Sequence, residues 1–510
     1  MNDLIANLGL GFQVALTLNN LLYCAVGATL GVLIGVLPGI GPLATIAMLL
    51  PVTFYLEPTG ALIMLAGVYY GAMYGGSTTS ILMNLPGDGA SAVVCLDGGP
   101  MAKQGRAGPA LVSSTLSSFI ASVCALVMLG LFAPPLSRWA LEFGPAEYFS
   151  LMVVGLLAAV MLAQGSPLKG LAMVFLGLTL GLVGMDLNSG AYRFTFEISE
   201  LSDGIDFVVL AMGLFGFSEI ISSLADRQVT GETDAVRYRF RWRDLILSRD
   251  DFRRFFGAAL RGTGVGSLVG ILPGGGTTVS SFLAYAVEKQ VAKDPSRFGK
   301  GAIEGVAGPE AANNASANMS FIPTLTLGIP GDAVMALMLA ALMIHGINPG
   351  PAVMTDQPQL FWGLLASMVI GNLMLLVLNL PLIGIWVRLL TIPYRLLYPP
   401  VVLFICIGVY SLRNSVFDVV LTAIFGAVGY LFVKLRCEPA PLLLGFILGP
   451  MMEENFRRAM IMSRGDPAIF IDRPISMTLL AIAALGIVTI VWSTAARGRA
   501  KQRSEINTAA

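Results

Sequence analysis

Charged residues are scarce in this sequence. Of its 510 residues only 12% are Asp, Glu, Lys or Arg, whereas 55% are hydrophobic. A soluble protein of this length carries roughly a quarter charged residues, because its surface must face water. Most of the surface of this chain is therefore expected to face hydrocarbon. The 31 basic and 31 acidic residues also balance, so the net charge does not indicate a nucleic-acid partner.

Other features that define large classes of proteins are also missing. His345 is the only histidine, which excludes a metal site built from several histidines. No Walker A sequence occurs, so we expect no ATP hydrolysis by this chain. The N-terminus lacks a basic segment and a cleavage site, and we expect no removed signal peptide. The cysteines form no C-x-x-C pair and are interpreted as small core residues: Cys24, Cys95, Cys124, Cys406 and Cys437.

Long apolar runs recur along nearly the whole chain. Examples are residues 111–133, 207–224 and 364–387. A bilayer core about 30 Å thick requires about 20 apolar residues for one helical crossing. The sequence therefore predicts an all-α polytopic membrane protein with about ten to thirteen membrane segments.

One strongly basic segment interrupts this pattern. Eight arginines lie between residues 226 and 254, and loops rich in Lys and Arg stay on the cytoplasmic side. We predict four regions: a first membrane repeat (1–225), a basic cytoplasmic linker (226–255), a second membrane repeat (256–475), and a C-terminal membrane helix with a basic cytoplasmic tail (476–510). No Lys or Arg precedes Lys103, which favours an external N-terminus.

The two hydrophobic halves resemble each other. Residues 35–42 (GVLPGIGP) align with residues 270–277 (GILPGGGT). The glycines that precede them align at the same offset: Gly27 and Gly31 with Gly262 and Gly266. Further on, residues 84–88 (NLPGD) align with residues 328–332 (GIPGD), each after a polar stretch. Two ordered matches with nearly equal spacing indicate an internal duplication.

The charges around the two copies indicate that they are inverted. Copy one follows a terminus without basic residues, whereas copy two follows the arginine-rich linker. After the second motif, copy one has Lys103 and Arg106, and copy two has Asp356 and no Lys or Arg before Arg388. Opposite charge bias at equivalent points is expected when a duplicated unit inserts antiparallel. A parallel duplication with ordinary helix breaks is the alternative.

Four Pro-Gly-rich breaks interrupt the hydrophobic segments, at residues 38–42, 85–89, 273–277 and 329–332. In lipid, the backbone groups that a break frees must be satisfied by protein, water or ligand. Discontinuous or re-entrant helices are therefore the best sequence indication of a transport site. Each break leaves a half-helix N-terminus, whose free N–H groups can bind a carboxylate without a basic side chain.

Small, hydroxyl and amide residues in and beside these breaks are the candidate substrate-binding residues. They are Gly39, Gly41, Ser77, Thr78, Thr79, Asn84, Gly87, Gly274, Gly275, Thr277, Thr278, Asn313, Asn314 and Gly331. Neutral donors of this kind can hold a carboxylate, and their oxygens can also surround a hard cation. The alternative is that they form hydrogen bonds between helices. No catalytic residue is predicted.

Five residues are candidates for coupling transport to sodium or to protons: Asp88, Asp332, Ser316, Asn318 and Glu310. Asp88 and Asp332 hold equivalent places in the two copies. An ionisable group at membrane depth is a functional candidate by default. An aspartate just after Pro-Gly is, however, also a good N-cap for the half-helix that follows. No cofactor other than the coupling ion is predicted.

Four stretches together resemble the large membrane subunit of tripartite tricarboxylate transporters: residues 74–88, 97–108, 308–314 and 324–332. The resemblance runs in order over nearly the whole chain. It implies a bacterial inner-membrane protein that pairs with a small membrane subunit and receives its ligand from a periplasmic solute-binding protein. It also implies import of citrate-like tricarboxylates or other small carboxylates, driven by a cation gradient. Residues 317–319 depart from the small, glycine-rich residues of the family.

The sequence therefore predicts the translocation subunit of a binding-protein-dependent secondary transporter in the lipid bilayer, with sodium as the favoured coupling ion. A stand-alone carboxylate transporter or channel is the first alternative. An intramembrane aspartyl protease would use Asp88 and Asp332. It is less favoured because neither residue lies in a Gly-x-Gly-Asp sequence, and because the Pro-Gly breaks beside them are duplicated.

Overall fold

The structure is a computed structural model that describes residues 2–37, 41–162, 166–186, 189–225, 247–272, 276–389 and 398–489. Its helices, in chain order, are α1 (Asn2–Ala15), α2 (Leu18–Val36), α3 (Pro42–Thr53), α4 (Pro58–Leu82), α5 (Cys95–Lys103), α6 (Ala107–Ala140), α7 (Pro145–Leu162), α8 (Pro167–Gly181), α9 (Phe207–Ala211), α10 (Ser218–Ala225), α11 (Arg249–Ile271), α12 (Gly276–Val291), α13 (Glu304–Met319), α14 (Phe321–Leu327), α15 (Ala333–Ile344), α16 (Val353–Asp356), α17 (Pro358–Asn379), α18 (Ile383–Leu389), α19 (Tyr398–Arg413), α20 (Val416–Lys434), α21 (Ala440–Met462), α22 (Ile469–Asp472) and α23 (Pro474–Thr489). A π-helical turn, Met212–Phe217, joins α9 to α10. Two short antiparallel strands, β1 (Gly184–Met185) and β2 (Tyr192–Arg193), pair with each other.

Contacts divide the chain into two compact units. The first is formed by residues 1–138 and 208–430, and the second by residues 139–207 and 431–510. These units are defined by contacts within the fold and do not test the predicted boundaries of the repeats, which stay predictions. Residues 226–246 of the basic linker lie outside the described residues, as do Arg497, Arg499, Lys501 and Arg503 of the C-terminal tail.

Four of the described helices are long and apolar enough to cross a membrane: α2, α6, α17 and α20. Eight further apolar helices contain 10 to 17 residues each. The chain is thus an all-α, multi-pass membrane protein, as its composition indicates. The number of membrane segments stays a prediction.

The second unit is built on the packing of α8 against α21. A Cβ on Gly177 or Gly181 of α8 would overlap the backbone carbonyls of Leu442 and Phe446 on α21, so the two backbones are in direct contact. The hairpin of β1 and β2 is fastened to the same helix by ion pairs. Arg193 lies 3.0 Å from a carboxylate oxygen of Glu453 on α21.

In the first unit, α2 packs on α4 as α11 packs on α13. A Cβ added at any of three glycines spaced by four residues on α2 would overlap a carbonyl oxygen of α4, and α11 and α13 repeat this arrangement. The pairs are Gly27–Met64, Gly31–Val68 and Gly35–Ala72 in copy one, and Gly262–Gly308, Gly266–Ala312 and Gly270–Ser316 in copy two. Both members of each pair align in the duplicated sequence. The duplication is therefore visible in the packing, whereas the inverted orientation of the copies stays a prediction.

Candidate functional site

The chain leaves the helical conformation at both glycine-rich breaks. At the first break, α2 ends in the extended residue Leu37, and α3 begins after the extended residue Gly41. At the second, α11 ends in the extended residue Leu272, and α12 begins at Gly276, whose φ is +57°. Three predicted residues lie outside the described residues: Gly39, Gly274 and Gly275.

The two Pro-Gly-Asp loops have the same backbone geometry. Asn84 and Gly328 occupy equivalent positions and both adopt the left-handed conformation, with φ of 55° and 69°. This conformation ends the preceding helix. The surroundings of the loop glycines are also equivalent. A Cβ added at Gly87 would meet Gly76 and the carbonyl of Gly35, and a Cβ added at Gly331 would meet Ser320 and the carbonyl of Gly270. Each loop therefore folds back onto the helix break of its own copy.

The two aspartates cap the segments that follow them. Asp332 Oδ1 accepts a hydrogen bond from the N–H of Met335 (2.8 Å), and Asp88 Oδ1 accepts one from the N–H of Ser91 (2.7 Å). Asp332 Oδ2 also accepts a hydrogen bond of 2.7 Å from the hydroxyl of Tyr69. These bonds favour the capping interpretation of both residues. Tyr69 is not among the residues that the sequence singles out.

The beginning of α12 lies against the loop of copy one. Thr278 Oγ1 would be 3.0 Å from a Cβ placed on Gly89, so the start of α12, after the first break of copy two, faces the Pro-Gly-Asp loop of copy one. The hydroxyl of Ser316 donates to the carbonyl of Gly276 (3.3 Å) and holds the start of α12. Thr277 and Thr278 are half-buried and Gly89 is exposed.

The predicted hydroxyls of α4 are buried, and those of Ser77 and Thr79 donate to backbone carbonyls. Thr79 donates to the carbonyl of Val36 at the end of α2 (2.6 Å), and Ser77 donates to the carbonyl of Met73 (3.1 Å). Thr78 is 3% exposed. Thr79 thus supports the helix break by satisfying a freed carbonyl, and its hydroxyl hydrogen is not available to an anion.

The amides of α13 are buried. Asn314 and Asn318 hydrogen-bond serines on α6, and Glu310 and Asn313 are buried beside them. The serines are missing from the predicted site, although their spacing of four along an apolar run was a visible signal. Within the described ranges, no group of three or more His, Cys, Asp or Glu is placed to hold a metal ion.

Asp97 fastens copy one to copy two. Its side chain is fully buried, and Oδ1 accepts backbone hydrogen bonds from the segment ahead of α13: Gly299 (2.9 Å), Gly301 (2.8 Å) and Ala302 (2.8 Å). Oδ2 accepts a fourth bond from the hydroxyl of Tyr285 (2.9 Å). A carboxylate with four donors is fully satisfied. Asp97 therefore positions the segment ahead of α13. The sequence does not single out this residue.

The sequence was compared with protein families, with individual proteins and with solved structures. The model of the tripartite tricarboxylate transporter TctA family matches residues 21–444. An uncharacterized 52.8 kDa protein in the TAR-I ttuC' 3'region of Agrobacterium vitis is 55% identical over 488 residues, which are 96% of each chain. An uncharacterized protein in the TAR-II ttuC' 3'region of the same organism is 56% identical over 237 residues, 46% of this chain and 97% of that protein. No solved structure matches. The chain therefore belongs to the tripartite tricarboxylate transporter TctA family.

Proposed function

We propose that this chain is the translocation subunit of a binding-protein-dependent secondary transporter. It imports tricarboxylates or related small carboxylates and couples this import to a cation gradient, with sodium as the favoured ion. A small membrane subunit and a periplasmic solute-binding protein complete the assembly. The chain lies in the bacterial inner membrane, with its central linker and its C-terminus in the cytoplasm.

The observation that carries this proposal is the meeting of two duplicated breaks. The loop of copy one lies against the start of α12, where Thr278 approaches Gly89. The first turn of α12 contains free backbone N–H groups and the hydroxyls of Thr277 and Thr278. Neither break contains a basic side chain. Half-helix N-termini with neutral donors bind carboxylates in this way, and the binding is favoured by the helix dipole.

The duplicated scaffold supports alternating access. The binding protein docks on the outside and releases the anion, which enters between the loop of copy one and the start of α12. A cation bound nearby offsets the charge of the anion in a medium of low dielectric constant. Movement of one copy relative to the other then exposes the site to the cytoplasm.

The proposal is tested by uptake of radiolabelled citrate into proteoliposomes that contain the chain, its small membrane subunit and the binding protein. Thr278→Val removes one hydroxyl from the site. The loss of a hydrogen bond to a charged group costs about 1.5–3 kcal/mol, so uptake at low citrate should fall roughly tenfold or more. The matched control is Thr179→Val, because Thr179 is exposed on α8 and donates only to Phe175 of its own helix (2.9 Å).

Three outcomes would contradict parts of this proposal. If uptake by Thr278→Val equals that of the control, α12 does not contribute to the anion site. Uptake that persists without a sodium or a proton gradient would remove the coupling. Full uptake without the binding protein would favour a stand-alone transporter instead.

A further inference from the structure

Two helices in the first unit carry polar residues on facing surfaces. Ser114, Ser118 and Ser122 recur every four residues on α6, and Glu310, Asn314 and Asn318 do so on α13. Because an α-helix has 3.6 residues per turn, each set lies on one face of its helix. We call these six residues the α6–α13 ladder.

Hydrogen bonds join the two sides of the ladder in register. Asn314 Nδ2 donates to Ser118 Oγ (2.8 Å), and Asn318 Nδ2 donates to Ser122 Oγ (3.2 Å). Ser118 in turn donates to Glu310 Oε2 (3.2 Å). The hydroxyl of Ser114 lies beside the same carboxyl group. The donors of the ladder are therefore occupied.

The acceptors of the ladder are not all occupied. Glu310 Oε1, Asn314 Oδ1 and Asn318 Oδ1 are buried and have no hydrogen-bond partner among the described residues. The three side chains are each at most 1% exposed. The ladder thus has an excess of buried oxygen acceptors, and an unsatisfied acceptor inside a protein costs free energy.

The orientation of the Asn314 amide does not create this excess. Its Nδ2 also donates to the backbone carbonyl of Glu310 (3.1 Å). If the amide were reversed, Oδ1 would face that carbonyl and two acceptors would meet. The same holds for Asn318, whose Nδ2 donates to the carbonyl of Asn314 (2.7 Å). The unpaired oxygens are therefore fixed by the backbone of α13.

Among the described residues, Glu310 has no basic partner to neutralise it. None of the ion pairs in the described part of the chain includes this residue. The titratable groups close enough to act on it are Asp88 and Tyr74, and neither carries a positive charge. A buried carboxylate without a counter-charge is strongly disfavoured, so Glu310 is expected to take up a proton or a small metal cation.

We propose that the α6–α13 ladder binds the coupling cation, with Glu310 and Asn314 as its ligands. The cation is sodium or a proton, since both satisfy buried carboxylate and amide oxygens. We do not assign Asp88 and Asp332 as the main ligands, because Oδ1 of Asp88 and both carboxylate oxygens of Asp332 already accept hydrogen bonds. This inference rests on the proposed function, from which it takes the coupling of transport to a cation.

The test measures cation binding without substrate or partners. The purified full chain in lipid nanodiscs is titrated with NaCl against choline chloride at constant ionic strength, and the thermal unfolding midpoint is recorded. A ligand that binds only the native state raises this midpoint in a saturable way. The wild type should show such a rise with sodium, and Glu310→Gln should lose most of it. Asn314→Ala, which keeps the carboxylate, should weaken the apparent sodium affinity about tenfold or more, as expected for the loss of one ligand.

A matched control separates ligand loss from general destabilisation. Asn379 on α17 is also a buried asparagine with an unpaired Oδ1, but it lies outside the ladder. Asn379→Ala should therefore keep the full sodium response. If Glu310→Gln does not fold, Asn314→Ala and the wild type decide the question.

The occupant is identified by a second titration. If sodium has no effect, but a pH-dependent step in the midpoint of the wild type is lost in Glu310→Gln, the cation is a proton and the site stands. A sodium or pH response that is unchanged in both ladder variants overturns the proposal, as does the absence of any response in the wild type. Because citrate is not used, failure here is distinct from failure of carboxylate transport.

Discussion

The two copies of the duplicated motif have equivalent backbone contacts, but α4 and α13 differ in side-chain chemistry at aligned positions. Four positions of α13 align with positions of α4: Glu310 with Ala66, Asn313 with Tyr69, Asn314 with Tyr70, and Asn318 with Tyr74. One copy thus carries a carboxylate and amides where the other carries a methyl group and phenol rings. The glycines that set the helix packing are retained in both. The duplication has kept the scaffold symmetric, whereas only α13 carries a carboxylate and amides at these four positions.

The tyrosines of copy one also contact polar groups. The hydroxyl of Tyr74 donates to Asn372 on α17 (3.2 Å), and that of Tyr70 lies 3.8 Å from the Sγ of Cys24. Aromatic rings fill the volume that a cation would need. We therefore expect copy one to be structural at these positions and copy two to be functional.

The largest expected effect concerns the shared scaffold. Gly266→Leu places a side chain against the backbone of Ala312, and Gly31→Leu does the same against Val68. Overpacking where neither backbone can move should cost about 3 kcal/mol or more. Both variants should lose the monodisperse peak in size-exclusion chromatography.

The control for this experiment lies on the same helix. A Cβ on Gly264 meets no atom within 4 Å, so Gly264→Leu should be tolerated. If Gly31→Leu were tolerated while Gly266→Leu were not, the scaffold would not be symmetric and the comparison would fail.

The next effect concerns the two caps. Asp88→Ala removes one capping bond, which should lower the free energy of unfolding by about 1 kcal/mol. Asp332→Ala removes a capping bond and also the buried bond from Tyr69, so about 2 kcal/mol is expected. Denaturant or thermal unfolding measures both values. In a double-mutant cycle, Tyr69→Phe should add little to Asp332→Ala; full additivity would show that the bond contributes nothing.

A smaller effect separates structural from functional positions. Tyr74→Phe leaves Asn372 Oδ1 without its donor, which should cost about 1 kcal/mol of stability. The sodium-dependent rise of the unfolding midpoint should stay as in the wild type, because Tyr74 holds a position of α4 that we expect to be structural. A reduced sodium response with unchanged stability would instead extend the cation site onto α4.

The smallest effect concerns the left-handed residues. Asn84→Gly makes copy one match Gly328 of copy two, and glycine adopts this conformation at no steric cost. The unfolding midpoint should change by less than the equivalent of about 0.5 kcal/mol. If citrate uptake falls while stability holds, the side chain of Asn84 contributes to the anion site. If neither changes, its backbone conformation is its role.

Features governed by local chain geometry were predictable from the sequence. The Pro-Gly breaks and the capping aspartates both depend on a few neighbouring residues. The duplication was also predictable, because glycine spacing survives in both copies. The breaks at Leu37 and Leu272 follow this expectation.

Contacts between distant helices were not predictable in the same way. The serines of α6 have the right spacing, but the sequence does not say that they face Asn314 and Asn318. Asp97 is likewise an ordinary acidic residue until the backbone amides of residues 299–302 converge on it. A single sequence records the periodicity of one helix but not its partner.

The glycine contacts of α2 with α4 and of α11 with α13 restrict how the protein can move. Each pair touches backbone to backbone at three successive levels, and neither helix can slide or rotate against the other without collision. Each pair must therefore behave as one rigid body. The compliant junctions are those made by single side chains, such as Tyr69 on Asp332. In a conformational cycle, the α2–α4 pair and the α11–α13 pair therefore move as rigid bodies about hinges at such contacts.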